Sequence, residues 1–170
     1  MIKENEELGA RVRELSAQAC IELFDAYDVP LERTGEKFIQ NDERMLCGVI
    51  GFVGRGVRGT CLLAGNEPPL SRSCPEGGRV RDWVGELANQ LAGRLKSKFL
   101  ARNVEVALTT PVVLSGVRLQ PLPRGNHEPI ILRSLDGQVM VWVEVESEPS
   151  FQLSDSEQGT MRGEGEVVLF

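Results

Sequence analysis

The chain has 170 residues and a formal net charge of −6 at pH 7, a size that suits one domain with a sizeable core. It has no basic block, which argues against a nucleic-acid backbone as ligand, and no apolar run near the roughly 20 residues that a membrane span needs. Cys20, Cys47, Cys61 and Cys74 form no C-x-x-C pair and sit mostly in apolar segments, so buried free thiols in a reducing cytoplasm are expected, with disulfides the minor alternative. His127 is the sole histidine, in a loop beside proline, and gives little basis for a metal cluster or a Ser-His or Cys-His arrangement.

In chain order, the opening MIKENEELGARVRELS is charged and helical rather than a signal peptide. Across residues 4–27, Leu8, Val12, Leu15, Ala19, Leu23 and Tyr27 recur at helical spacing and predict one buried face. Pro30 ends that helix, because the residue before proline is pushed out of the α region. After a polar link, residues 44–52 and 57–64 read as two strands joined as a hairpin through Val53, Gly54, Arg55 and Gly56. These glycines are turn and bulge residues: no Lys-Ser/Thr follows them, as a phosphate loop would require. Residues 65–78, with Pro68, Pro69, Pro75 and paired glycines, predict irregular connection, with Ser73 and Glu76 spaced as a candidate capping box.

Residues 79–99, RVRDWVGELANQLAGRLKSKF, predict the central helix. Val80, Trp83, Val84, Leu87, Leu91 and Leu95 form its apolar stripe, with Phe99 at the margin. The opposite face carries Asp82, Gly85, Glu86, Asn89 and Gly93. Two glycines and an asparagine inside a helix forgo roughly 2–3 kcal/mol of helix propensity if the costs add. A small, polar and locally unfavourable face points to close approach by a partner's backbone. The plainer reading is a second helix of the same chain packing on the glycines, with Asp82 serving the macrodipole.

Residues 104–114 alternate as a strand, in which Pro111 marks an edge, bulge or break. Residues 120–129 hold three prolines and are loop. Residues 129–135 and 138–146 flank Asp136-Gly137, a hairpin signal, and the second strand turns Val139, Val141, Val143 and Val145 one way and Met140, Trp142, Glu144 and Glu146 the other. The order predicts an α+β domain over residues 1–148, with long helices packed on a largely antiparallel sheet. Residues 149–170 turn polar and predict a loose tail, whose last residues, Val167 to Phe170, are apolar.

The run from Asp82 through Glu86 and Asn89 to Gly93, with Pro111 at a later strand, resembles the signature of the CheC/CheX/FliY chemotaxis phosphatases. The element order and the GVIGF segment are similar to the CheX branch, and the resemblance covers roughly residues 8–148. Two departures stand out. The interval to Pro111 is one residue short of the family pattern. The first helix also offers no second copy, since neither Glu14-Leu-Ser-Ala17 nor Glu22-Leu-Phe-Asp25 ends in asparagine.

The resemblance implies hydrolysis of the aspartyl phosphate on a phosphorylated CheY-like receiver. On that reading Glu86 and Asn89 are the catalytic pair: Glu86 engages the receiver's lysine, and Asn89 orients the attacking water. Asp82, Gly85, Gly93 and Pro111 support the site or contact the partner. The chain itself binds no cofactor or metal, and Mg²⁺ comes with the receiver. The resemblance also implies a homodimer paired through the sheets, with the hairpin of residues 130–145 as a possible edge. Two alternatives are a non-catalytic module that binds a receiver or flagellar switch, and a structural domain whose long helix packs on a symmetry mate.

Overall fold

The computed structural model describes residues 2–37, 43–119 and 128–154. Its elements are α1 (Ile2–Asp25), β1 (Glu32–Arg33), β2 (Arg44–Gly54), β3 (Val57–Asn66), α2 (Glu67–Ser73), α3 (Val80–Leu100), β4 (Val106–Leu108), β5 (Val112–Val117), β6 (Ile130–Arg133) and β7 (Gln138–Ser147). The strands form a seven-stranded sheet in the order β1-β6-β7-β3-β2-β4, with β5 also paired to β2, and every pairing is antiparallel. The architecture is the expected α+β arrangement of helices on an antiparallel sheet.

Both long helices lie on one face of the sheet, α1 against β7 and β6, α3 against β2 and β3, and they touch each other. The predicted periodicities account for this layer. Leu8, Val12, Leu15, Ala19 and Leu23 of α1 are buried together with Val84, Leu87, Leu91, Leu95 and Phe99 of α3. Val139, Val141, Val143 and Val145 of β7 point into the same core. The other sheet face buries a smaller cluster of Met45, Cys47, Ala64, Ile131 and Met140. A strand buried on both faces reads as a continuous apolar run, which is the pattern of β2 and β7.

Both long helices stop on left-handed residues. Asp28 (φ 58°) and Asn103 (φ 60°) turn the chain so that the next amide, from Val29 or Val104, bonds back to Phe24 or Phe99 at 3.0 Å. Arg55 and Gly56 (φ 72°) close the β2–β3 hairpin between the paired Gly54 and Val57.

Residues 65–78 differ from the expected irregular connection, because Glu67–Ser73 is helical. Pro68 lies in the first turn, where amide hydrogens have no intrahelical acceptor and a missing one costs nothing. The proposed capping box is absent as well. The N-cap of α3 is Arg79 with no side-chain bond, and the Ser73 hydroxyl instead donates to the Leu70 carbonyl at 2.9 Å.

The β6–β7 hairpin is not a free edge along its whole length, since β1 pairs with Leu132 and Arg133. Beyond residue 148, Phe151 packs on the core and Leu153 is buried. The Arg11 guanidinium donates to the carbonyls of Leu153 and Ser154, the latter at 2.6 Å. His127, residues 120–127 and the tail from 155 onward lie outside the described residues.

Candidate functional site

The site is built on the outer face of α3. Asp82, Glu86 and Asn89 are exposed, and Gly93 is half-buried, each about one helical turn after the last. The inner face is fixed by Val84, Leu87, Ala88 and Leu91, all at most 1% exposed, so the outer face cannot rotate inward. Seating is close because Gly48 of β2 lies beneath the helix. A Cβ there would stand 2.6 Å from Ala88 Cβ and 2.8 Å from the Val84 carbonyl oxygen.

The two helix glycines part company. Gly93 has nothing within 4 Å of the position its Cβ would take, so its missing side chain leaves open space. Gly85 is buried, and a Cβ there would meet Val113 Cγ2 of β5 at 2.9 Å. Gly85 therefore lets a strand of the same chain pack under the helix.

Pro111 stands at the head of β5, two residues before Val113. Thr109, Thr110 and Pro111 lie between the pairs Phe52↔Leu108 and Val49↔Val112, opposite only Ile50 and Gly51. This is a β-bulge of one extra residue, with Pro111 placed where no ladder amide is required. Thr109 closes the bulge on Gly51: its amide donates to the Gly51 carbonyl and its hydroxyl accepts the Gly51 amide, both at 2.9 Å.

Glu86 and Asn89 differ in their surroundings. Asn89 has no hydrogen-bond partner among the described residues, so its amide donor and acceptor both face solvent. Glu86 accepts a hydrogen bond from Gln90 Nε2 at 3.3 Å, and Gln90 Oε1 accepts the Tyr27 hydroxyl at 2.8 Å. The Tyr27 ring meets Trp83 edge-on, centroids 5.2 Å apart, and the Trp83 indole N–H donates to Ser73 Oγ at 3.0 Å. Gln90 and this pairing of Tyr27 escape a sequence reading, because the tyrosine lies 63 residues earlier in the chain. An open groove of about 500 Å³, lined by Arg58, Thr60, Glu144 and Glu146, opens on the sheet face away from α3. Asp82, Glu86 and Asn89 do not line that groove; they form a polar ridge along the exposed outer face of α3. Among the described residues no His, Cys, Asp and Glu side chains gather as a metal site.

Residues 46–133, just over half of the chain and including β3, α3, the bulge and all but the first two residues of β2, match the family model described as chemotaxis phosphatase CheX. The chain belongs to the CheX family. Solved structures agree on the fold. The chemotaxis protein CheX from Vibrio vulnificus is 20% identical with a TM-score of 0.66, covering 80% of this chain and 99% of that one. A CheC-like superfamily protein from Shewanella sp. PV-4 is also 20% identical with a TM-score of 0.66, over 80% of this chain and 97% of that one. CheX from Borrelia burgdorferi, solved as a CheX-CheY-BeF3-Mg+2 complex, is 16% identical with a TM-score of 0.59, over 79% of this chain and 97% of that one. A search of curated protein sequences finds no match. Among the described residues of this CheX-family chain, no helix is long and apolar enough to cross a membrane.

Proposed function

We propose that this CheX-family protein hydrolyses the aspartyl phosphate of a CheY-like receiver by inserting Glu86 and Asn89 into the receiver's active site. The observation that carries the reading is the exposed carboxylate and amide, one turn apart, on a helix whose other face is locked into the core. Water attacks phosphorus, the bond to the aspartyl oxygen breaks with its electron pair kept by the receiver's aspartate as a carboxylate, and inorganic phosphate leaves. Such a reaction needs positioning and charge stabilisation rather than a covalent nucleophile on the catalyst. The free Asn89 amide offers a donor and an acceptor at fixed separation, suited to holding the water in line. Glu86 anchors the insertion on the receiver's lysine. Mg²⁺ belongs to the receiver, where it supplies charge neutralisation at the phosphoryl group. Asp82 lends negative charge to the first turn of α3.

The four free thiols fit a reducing compartment such as the cytoplasm, where receivers act. A homodimer is part of the same proposal, favoured by the exposed Val53, Val112 and Leu114 on the sheet face away from the helices.

Phosphate release from a phosphorylated CheY, compared between wild type and Asn89→Ala, tests the assignment. The variant is expected to lose about 100-fold in kcat, roughly 3 kcal/mol of transition-state stabilisation. Equal rates would remove Asn89 from the chemistry. A wild-type protein that binds the receiver and prolongs its phosphate would instead establish the non-catalytic binding module.

A further inference from the structure

We infer that Gln90 is a positioning residue that holds Glu86 ready for the receiver, and that Tyr27 anchors the Gln90 amide; this rests on the role proposed for Glu86 above. An ionised carboxylate only accepts hydrogen bonds, so the group that Gln90 turns toward Glu86 must be its NH₂. The Nε2 atom stands 3.3 Å from Glu86 Oε1. The amide oxygen then faces the opposite way, where it meets the Tyr27 hydroxyl at 2.8 Å, and the phenol must be the donor. The direction of the whole chain of bonds is thus fixed by the charge at its end.

The far end is fixed by packing. Tyr27 lies in the turn after α1, just before the left-handed Asp28, and its ring is held edge-on by Trp83 at an interplanar angle of 90°. Trp83 is held in turn by its bond to Ser73, whose side chain is buried at the end of α2. A rigid support therefore reaches from the core, through a half-buried tyrosine and glutamine, to an exposed carboxylate. A glutamate alone on a helix surface samples several rotamers and must give up that freedom on docking. Restricting it beforehand lowers the cost of association without touching the water that Asn89 orients. The signature of such a residue is weaker receiver affinity at nearly constant kcat.

The experiment measures dephosphorylation of a phosphorylated CheY by wild type, Glu86→Ala, Gln90→Ala, Tyr27→Phe, and the two latter changes combined with Glu86→Ala. Gln90→Ala and Tyr27→Phe are each expected to raise KM about three- to fivefold, with kcat changed by less than about twofold. In the Glu86→Ala background both changes are expected to have no further effect, because the group they position is gone. An equal rise in KM with and without Glu86 would overturn the inference, as would an unchanged KM for Gln90→Ala in the wild-type background. Failure of the underlying reading looks different: Glu86→Ala itself would then match wild type. In that event the side-chain ¹⁵N resonance of Gln90 decides the contact directly. It is expected to move in both Glu86→Ala and Tyr27→Phe, and a resonance indifferent to either refutes the chain of bonds.

Discussion

At the scale of single residues, two glycines on one helix carry opposite meanings, although helix propensity treats them alike. Alanine at either position gains about 1 kcal/mol of propensity. At Gly85 that gain works against Val113, which must move to admit a methyl group at 2.9 Å. At Gly93 nothing opposes it. Gly93→Ala is therefore expected to raise the melting temperature by about 2–4 °C. If a receiver passes over this part of the helix, the same methyl group obstructs it, and affinity for the phosphorylated receiver falls. Thermal unfolding beside a receiver titration checks both. A raised melting temperature with unaltered affinity would place Gly93 outside the contact surface.

At the scale of elements, the ridge depends on how α3 is seated. Gly48 brings the helix down onto β2, with the Val84 carbonyl and Ala88 Cβ directly above. Helix backbone cannot swing aside as a side-chain tip can, so Gly48→Ala has to lift or tilt α3. Overpacking of this kind costs about 1–3 kcal/mol, and a lower denaturation midpoint at unchanged m-value is expected. On the other side of α3, the bulge at Thr109, Thr110 and Pro111 begins β5, whose Val113 fills the space beneath Gly85. Two strands of the same sheet thus support one helix at two glycine contacts, one contributed by the sheet and one by the helix.

At the scale of the whole molecule, three of the four thiols are sealed in the core. Burial raises the Cys61 thiol from 9.0 to about 12 and the Cys47 thiol from 9.0 to about 11, and it raises Cys20 as well, with Cys61 nearby adding to the effect. A thiol whose pKa is raised in the folded state keeps its proton while the unfolded chain loses it. Its contribution is complete below pH 9.0 and is lost as the pH climbs towards about 11 for Cys47 and about 12 for Cys61. Unfolding free energy is therefore expected to fall above pH 9.0, by up to about 1.4 kcal/mol per pH unit for each buried thiol. Denaturant titrations between neutral pH and pH 10.5 would show it, on the order of 1–2 kcal/mol per thiol by the upper end. A flat profile would mean that the unfolded thiols are shielded too.

The sequence alone determined what repeats at short range. The stripes of α1 and α3, the alternation in β7, the hairpin turns and the spacing of Asp82, Glu86, Asn89 and Gly93 are all local, because helix and strand periods act over a few residues. Even the break at Pro111 is written locally, in a missing amide hydrogen. The helix at Glu67–Ser73 was hidden because two prolines normally signal a loop, and only position within the first turn makes them harmless. Which glycine faces a strand and which faces solvent depends on where β5 runs, and pairing to β2 decides that. The link from Tyr27 through Gln90 to Glu86 has the same origin: it joins residues 63 positions apart, and it exists only once α1 and α3 lie side by side.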